Sequence, residues 1–227
     1  QEAFIRAHRV AELHRRVAAI TELSSERALS LFPDFRQRLH VLQKCGYADP
    51  VTEAVLLKGR AACEMNTCNE VLACELLMSN VLEPLNPPEA AGILSALVCQ
   101  EKGDDTVQLT SRMEEARYKS QELLEALYVV QEHEGLPNEE DLRPSLNFFL
   151  AAVVYQWARG VPFASIISMT KAQEGSVVRC ISRLDELLKD FRNAARIIGN
   201  PSLYRQMEAA SQCIKRDVVF AASLYIE

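Results

Sequence analysis

Residues 174–200, EGSVVRCISRLDELLKDFRNAARIIGN, decide the fold. Val177, Ile181, Leu184, Leu188, Phe191, Ala195 and Ile198 recur at alternating steps of four and three, which lays a single apolar stripe along a helix. Gly175-Ser176 supplies a start, with Ser176 as N-cap, and Gly199-Asn200 followed by Pro201 supplies a stop. Arg179 and Arg183, one turn apart, fall on the face away from the stripe, while Lys189, Arg192 and Arg196 run along one flank. Such a helix packs on one side only, and the stripe alone does not say what the arginines are for.

Working outward, residues 202–225 read as a closing helix with Leu203, Met207, Ala210, Ile214, Val218 and Leu224 as its core face. Upstream, Val161-Pro162-Phe163 leads a short helix through Ile166 and Met169. SLNFFLAAVVYQWA, residues 145–158, is apolar nearly all round, which marks a central bundle helix too short to span a membrane. Trp157 at its end is a packing anchor first and a base-stacking platform second. Residues 107–134 form a long acidic helix whose core candidates are Leu109, Met113, Ala116, Leu123, Leu124, Leu127 and Val130. Glu114, Glu115, Glu122 and Glu125 make its wet face, with no apolar pocket to raise a carboxyl pKa for catalysis.

Before the Pro-rich joint at Glu83–Pro88, which starts a helix over 88–101, a helix runs from Asn69 to Leu82. Ala54–Leu57 and Arg60–Cys63 flank Lys58-Gly59, a tight-turn dipeptide, and predict a β-hairpin. With a helix from Pro33-Asp34 to Gly46 ahead of it, this is the skeleton of a winged helix. Residues 2–22 read as one helix, half of a long antiparallel stalk. The expected fold is therefore mainly α: a helical bundle over 84–227, preceded by a partial winged-helix module over 31–83 with one short β-hairpin, and by the stalk helix over 1–30. The chain opens on Gln1 in mid-helix pattern and reads as an excised piece of a larger protein.

A net charge of −6 argues against bulk coating of nucleic acid, though not against a local basic surface. The seven cysteines form no CxxC, and no histidine lies near the close set Cys63, Cys68 and Cys74, so no metal site is expected; Cys74, Cys99, Cys180 and Cys213 read as reduced core residues of an intracellular protein. No GxxxxGK[ST], HExxH or GxSxG occurs, and none of the eight glycines lies two residues from another. No catalytic residue and no cofactor is expected within this stretch; it reads as a module that positions something while chemistry happens elsewhere.

Three runs taken together carry a resemblance: KGRAACEM (58–65), VVYQWARGVPFASIISMTKAQEGSVVRCISRLDELL (153–188), and AARIIGNPSL (194–203) with KRDVVFAASLY (215–225). In this order they resemble the C-terminal region of the exosome-associated DExH RNA helicases of the Ski-complex and TRAMP type. LVCQ (97–100) and WARGVPF are more similar to the cytoplasmic Ski-complex branch than to the nuclear one. The resemblance implies an ATP-dependent 3′-to-5′ RNA helicase that feeds RNA into the exosome, with ATP and Mg²⁺ held by two RecA-like domains outside these residues. It implies that 1–30 is the returning end of an arch insertion, and that the TPR-repeat and WD40-repeat Ski subunits are partners. It also places one bundle helix along single-stranded RNA. The 174–200 helix matches that position, which assigns RNA contact to Arg183 and to Glu101. Arg179 joins them because it shares the Arg183 face. The plain alternative for Arg183 is an ion pair with Glu186 or a neighbouring acidic helix.

Two other function classes fit parts of the pattern. Residues 163–188 have the grammar of a DNA-binding helix-turn-helix beside the winged segment, and the acidic 107–134 helix suits a protein-interaction scaffold.

Overall fold

The computed structural model describes residues 2–23, 32–103, 108–136 and 146–216. Among them are ten α-helices: α1 (Glu2–Leu23), α2 (Phe32–Lys44), α3 (Leu57–Ala62), α4 (Glu70–Met78), α5 (Pro87–Leu94), α6 (Ser111–His133), α7 (Ala151–Ala158), α8 (Phe163–Ile167), α9 (Glu174–Ile197) and α10 (Pro201–Ile214). A 3-10 turn, Ser95–Leu97, extends α5. The expected helical bundle is what forms.

α9 is the axis of the bundle. It packs along α10 and against α3, while α5 lies on α7, α10 and α6. Val177, Ile181, Leu184, Leu188, Phe191 and Ala195 are at most 1 % exposed, so the stripe is core as its spacing requires. Cys180, Asp185, Leu187 and Ala194 are buried as well, because neighbours stand on more than one side of the helix. The start lies earlier than expected: Gln173 is the N-cap residue and caps with no side chain, and Ser176 is inside the first turn, where its hydroxyl accepts from Arg179. The stop is as read. Gly199 takes φ +73°, and Asn200 N–H reaches back to the Ala195 carbonyl at 2.9 Å. Asn200 then caps α10 by accepting from Leu203 N–H, with Pro201 in its first turn.

α5 opens with a full capping box: the Asn86 side chain accepts from Glu89 N–H, and Glu89 returns to Asn86 N–H. The Glu89 carboxylate is 2 % exposed and also receives Thr110 and Arg112, which ties the start of α6 to the start of α5. α7 is buried but begins at Ala151; residues 146–150, expected to be helical, form a turn ahead of it. Trp157 is fully buried and donates from Nε1 to the Ile214 carbonyl at 2.9 Å, so it is an anchor and no base can stack on it. The Arg216 guanidinium lies 3.7 Å from the Trp157 ring centroid and donates to the carbonyls of Trp157 and Val161, which pins the end of α10 to α7. The expected continuation of this helix from residue 217 to 225 lies outside the described residues.

The hairpin expected over 54–63 is not formed. Leu57–Ala62 is helix α3, and the strand character nearby reduces to one antiparallel bridge between Ala48 and Val55 around an Asp49–Thr52 turn. Gly59 is there for close approach rather than for a positive φ: a Cβ on it would strike the Tyr47 carbonyl oxygen and stand 2.7 Å from Val55 Cγ1. Lys58 turns inward, pairing with Glu75 at 2.7 Å and lying 4.6 Å from the Tyr47 ring centroid. A winged-helix module therefore has no wing hairpin here. Helix α1 forms as expected, with Val10, Leu13, Val17 and Ile20 exposed.

Candidate nucleic-acid interface

The side of α9 that the bundle leaves open carries Arg179, Ser182 and Arg183. Facing them is the segment that follows the 3-10 turn. Val98, Gln100 and Glu101 from that segment, Leu150 before α7, and Ser176, Val178, Arg179, Cys180, Ser182 and Arg183 from α9 enclose a cleft of about 510 Å³. All three residues singled out in the sequence thus line one cavity.

Within it, Arg179 is steadied by its own helix: Nη2 donates to Ser176 Oγ at 3.0 Å. Arg183 is exposed and makes no ion pair among the described residues. Glu186, the carboxylate that sequence spacing offered it, is held instead by Lys189 at 2.8 Å. Glu101 is half-buried, and its side chain likewise pairs with no cation among the described residues. Cys180 lines the cleft, and Cys99 belongs to the facing segment. The two thiols influence each other, which shifts Cys99 below its ordinary pKa against its burial and pushes Cys180 above. Cys99 Sγ in turn lies 3.8 Å from the Glu101 carbonyl oxygen, to which it donates.

The flank cations are engaged elsewhere. Lys189 bridges Asp185 and Glu186, Arg192 approaches Glu208 at 3.6 Å, and Arg192 and Arg196 both lie over the Tyr204 ring. For the helix-turn-helix alternative, the start of α9 buries Ser176 and Val177 and offers Arg179 and Arg183 as its exposed basic residues, a sparse face for reading a groove.

Sequence reasoning missed Asn147. Its Nδ2 donates to the Glu101 carbonyl at 2.6 Å and to that of Cys99 at 3.4 Å. The only available signal was an amide inside an otherwise apolar run, which has to find polar partners when buried. Among the described residues no three His, Cys, Asp or Glu side chains gather as a metal site, and no helix is long and apolar enough to cross a membrane. All seven cysteines are free thiols.

Fold and cleft define the class: an all-helical domain built round one long buried helix that keeps an arginine-bearing face open. The chain belongs to the DSHCT (NUC185) domain family, whose model matches residues 52–221. It is 40 % identical to Superkiller complex protein 2 of Mus musculus, over 95 % of this chain and 17 % of that protein. Similarity to the Antiviral helicase SKI2 of Saccharomyces cerevisiae is 36 %, over 94 % of this chain and 17 % of the relative. Exosome RNA helicase MTR4 of Homo sapiens follows at 35 %, over 92 % and 20 %. The chain thus spans a fifth or less of the length of these relatives. They bear out the resemblance to the exosome-associated DExH helicases, with the Ski-type proteins the more similar of the three.

Proposed function

We propose that this chain is the C-terminal, RNA-guiding module of an ATP-dependent 3′-to-5′ RNA helicase that unwinds RNA and threads it into the exosome. The observation that supports this most is the convergence of Arg179, Arg183 and Glu101 on one cleft of a DSHCT-family bundle. Guanidiniums on a rigid, buried-backed helix bond phosphate or stack on bases without reading sequence, which translocation along a single strand requires. Glu101 on the opposite wall adds to the grip by accepting from ribose hydroxyls or base amino groups, which leaves the phosphates to the arginines.

In this reading ATP and Mg²⁺ belong to RecA-like domains of the same protein, against which the bundle sits. Residues 1–30 are the returning stalk of an arch insertion, and 31–83 the follow-on part of a winged-helix fold, with α3 in place of the wing. The TPR-repeat and WD40-repeat Ski subunits and the exosome are the partners, and the cytoplasm is the compartment; the nuclear branch is the alternative. The similarity to Superkiller complex protein 2 supports the former choice.

The test is an Arg183→Ala substitution in the full-length helicase. Unwinding of a duplex with a 3′ single-stranded RNA tail should fall about tenfold, the scale of one lost charge-assisted contact, with RNA-stimulated ATP hydrolysis less affected. Unwinding at the wild-type rate in both Arg183→Ala and Glu101→Ala would remove the RNA assignment from this cleft.

A further inference from the structure

We infer that Asn147 is a positioning residue that fixes the wall of the cleft bearing Glu101, and so sets how the module grips a single strand. The inference rests on the RNA reading above and extends it to a residue that does not line the cleft.

The wall, residues 98–101, has no regular secondary structure to hold its shape. Three groups hold it. Asn147 donates through Nδ2 to the carbonyls of Glu101 and Cys99, and Asn147 N–H donates to the Ala96 carbonyl at 2.9 Å. Behind it, Gly103 lies flush on Phe149, so close that a Cβ there would stand 2.5 Å from the ring. Within the wall itself, Cys99 Sγ donates to the Glu101 carbonyl at 3.8 Å. Asn147 Oδ1 meanwhile accepts from Phe149 N–H at 3.1 Å, in the turn that leads into α7. Two carbonyls on one side and an N–H on the other fix the orientation of the amide. One side chain therefore couples the turn before α7 to the segment that carries Glu101, which shares the cleft with Arg183.

The two ends of the amide can be cut separately. Asn147→Asp keeps an Oδ1 acceptor for Phe149 N–H but replaces the donor by an oxygen that repels both carbonyls. In the full-length helicase, amide hydrogen exchange at 99–103 should rise at least tenfold in N147D, with α9 amides around Ile181 and Leu184 unchanged. Unchanged exchange over 99–103 would overturn the clamp itself. Affinity for a single-stranded oligouridine should fall about fivefold in N147D, and by no further factor when N147D is added to Glu101→Ala. An additive loss in the double variant, or full affinity in N147D while E101A is weakened, would overturn the inference and leave the RNA reading standing. Full affinity in E101A and Arg183→Ala alike would instead overturn the RNA reading, and with it this role for Asn147.

Discussion

Glu101 and Arg183 line one cleft from two different elements, opposite in charge, and no ion pair joins them. Closing such an exposed pair would gain only about 0–1 kcal/mol. Left open, Arg183 keeps its donors for a phosphate. Counterion release then gives a quantitative expectation: each phosphate neutralised on a single strand contributes a slope of about −0.7 to log K against log[salt]. Arg183→Ala in the full-length helicase should make the measured slope shallower by about 0.7. Arg179→Ala should act in the same direction but less, because that guanidinium is shared with Ser176. A slope unchanged by either substitution would mean that no phosphate sits there.

Much of this arrangement was legible because period encodes burial. The four-three stripe of α9 needs no tertiary information to be recognised as core, and Gly199-Asn200-Pro201 spells the end of one helix and the cap of the next. What failed was local chemistry with two meanings. Lys58-Gly59 suits a tight turn, yet Gly59 is required by the closeness of the Tyr47 backbone and Lys58 by Glu75, neither of which adjoins it in sequence. The start of α7 misread for a similar reason: an apolar run gives no phase from which to place its first turn. The cleft needed the resemblance, because arginines on an open helix face look the same whether solvent or RNA covers them. Asn147 was not legible at all, since its partners are carbonyls and carbonyls leave no mark in a sequence.

Leu184 is fully buried at the middle of the α9 stripe. Leu184→Ala should destabilise the fold by about 2–5 kcal/mol, the cost of the lost transfer energy plus the cavity left behind. Urea denaturation at neutral pH measures it. A loss under 1 kcal/mol would mean that the bundle collapses onto the site freely, which the packing of α10 and α3 around α9 argues against.

Two glycines should respond in opposite directions to the same change. At Gly59 a methyl group meets the Tyr47 carbonyl and Val55, both fixed by the bridge between Ala48 and Val55, so Gly59→Ala should cost about 1–3 kcal/mol through overpacking. Gly175 stands in the first turn of α9 with nothing within 4 Å of a Cβ, so Gly175→Ala should stabilise by about 0.5 kcal/mol through helix propensity and a less free unfolded chain. Thermal melts of the two variants, run side by side, would show opposite shifts; like-signed shifts would contradict the backbone placement of α3.

The last expectation concerns acid. Asp185 is 3 % exposed and lies between α9 and α10, where Ser211 Oγ donates to it at 2.5 Å and Lys215 and Lys189 approach at 3.1 and 3.2 Å. Burial works to raise its pKa, but the Ser211 hydroxyl and the two ammonium groups outweigh that and leave the carboxyl below its ordinary value. Its folded pKa is therefore lower than its unfolded one, about 3.9. The group contributes its full stabilisation above that unfolded value and loses it as pH falls through the lower, folded value. Because α10 is the helix packed most extensively along α9, this loss falls on the principal contact of α9. Asp185→Asn should lower stability at pH 7 by about 3 kcal/mol, the low end for breaking a buried pair, since both lysines remain partly in water. It should also flatten the fall in stability between pH 4 and pH 2. Urea midpoints measured across that range decide the matter: a variant that loses stability in acid as steeply as the parent would place the acid-sensitive carboxylate elsewhere.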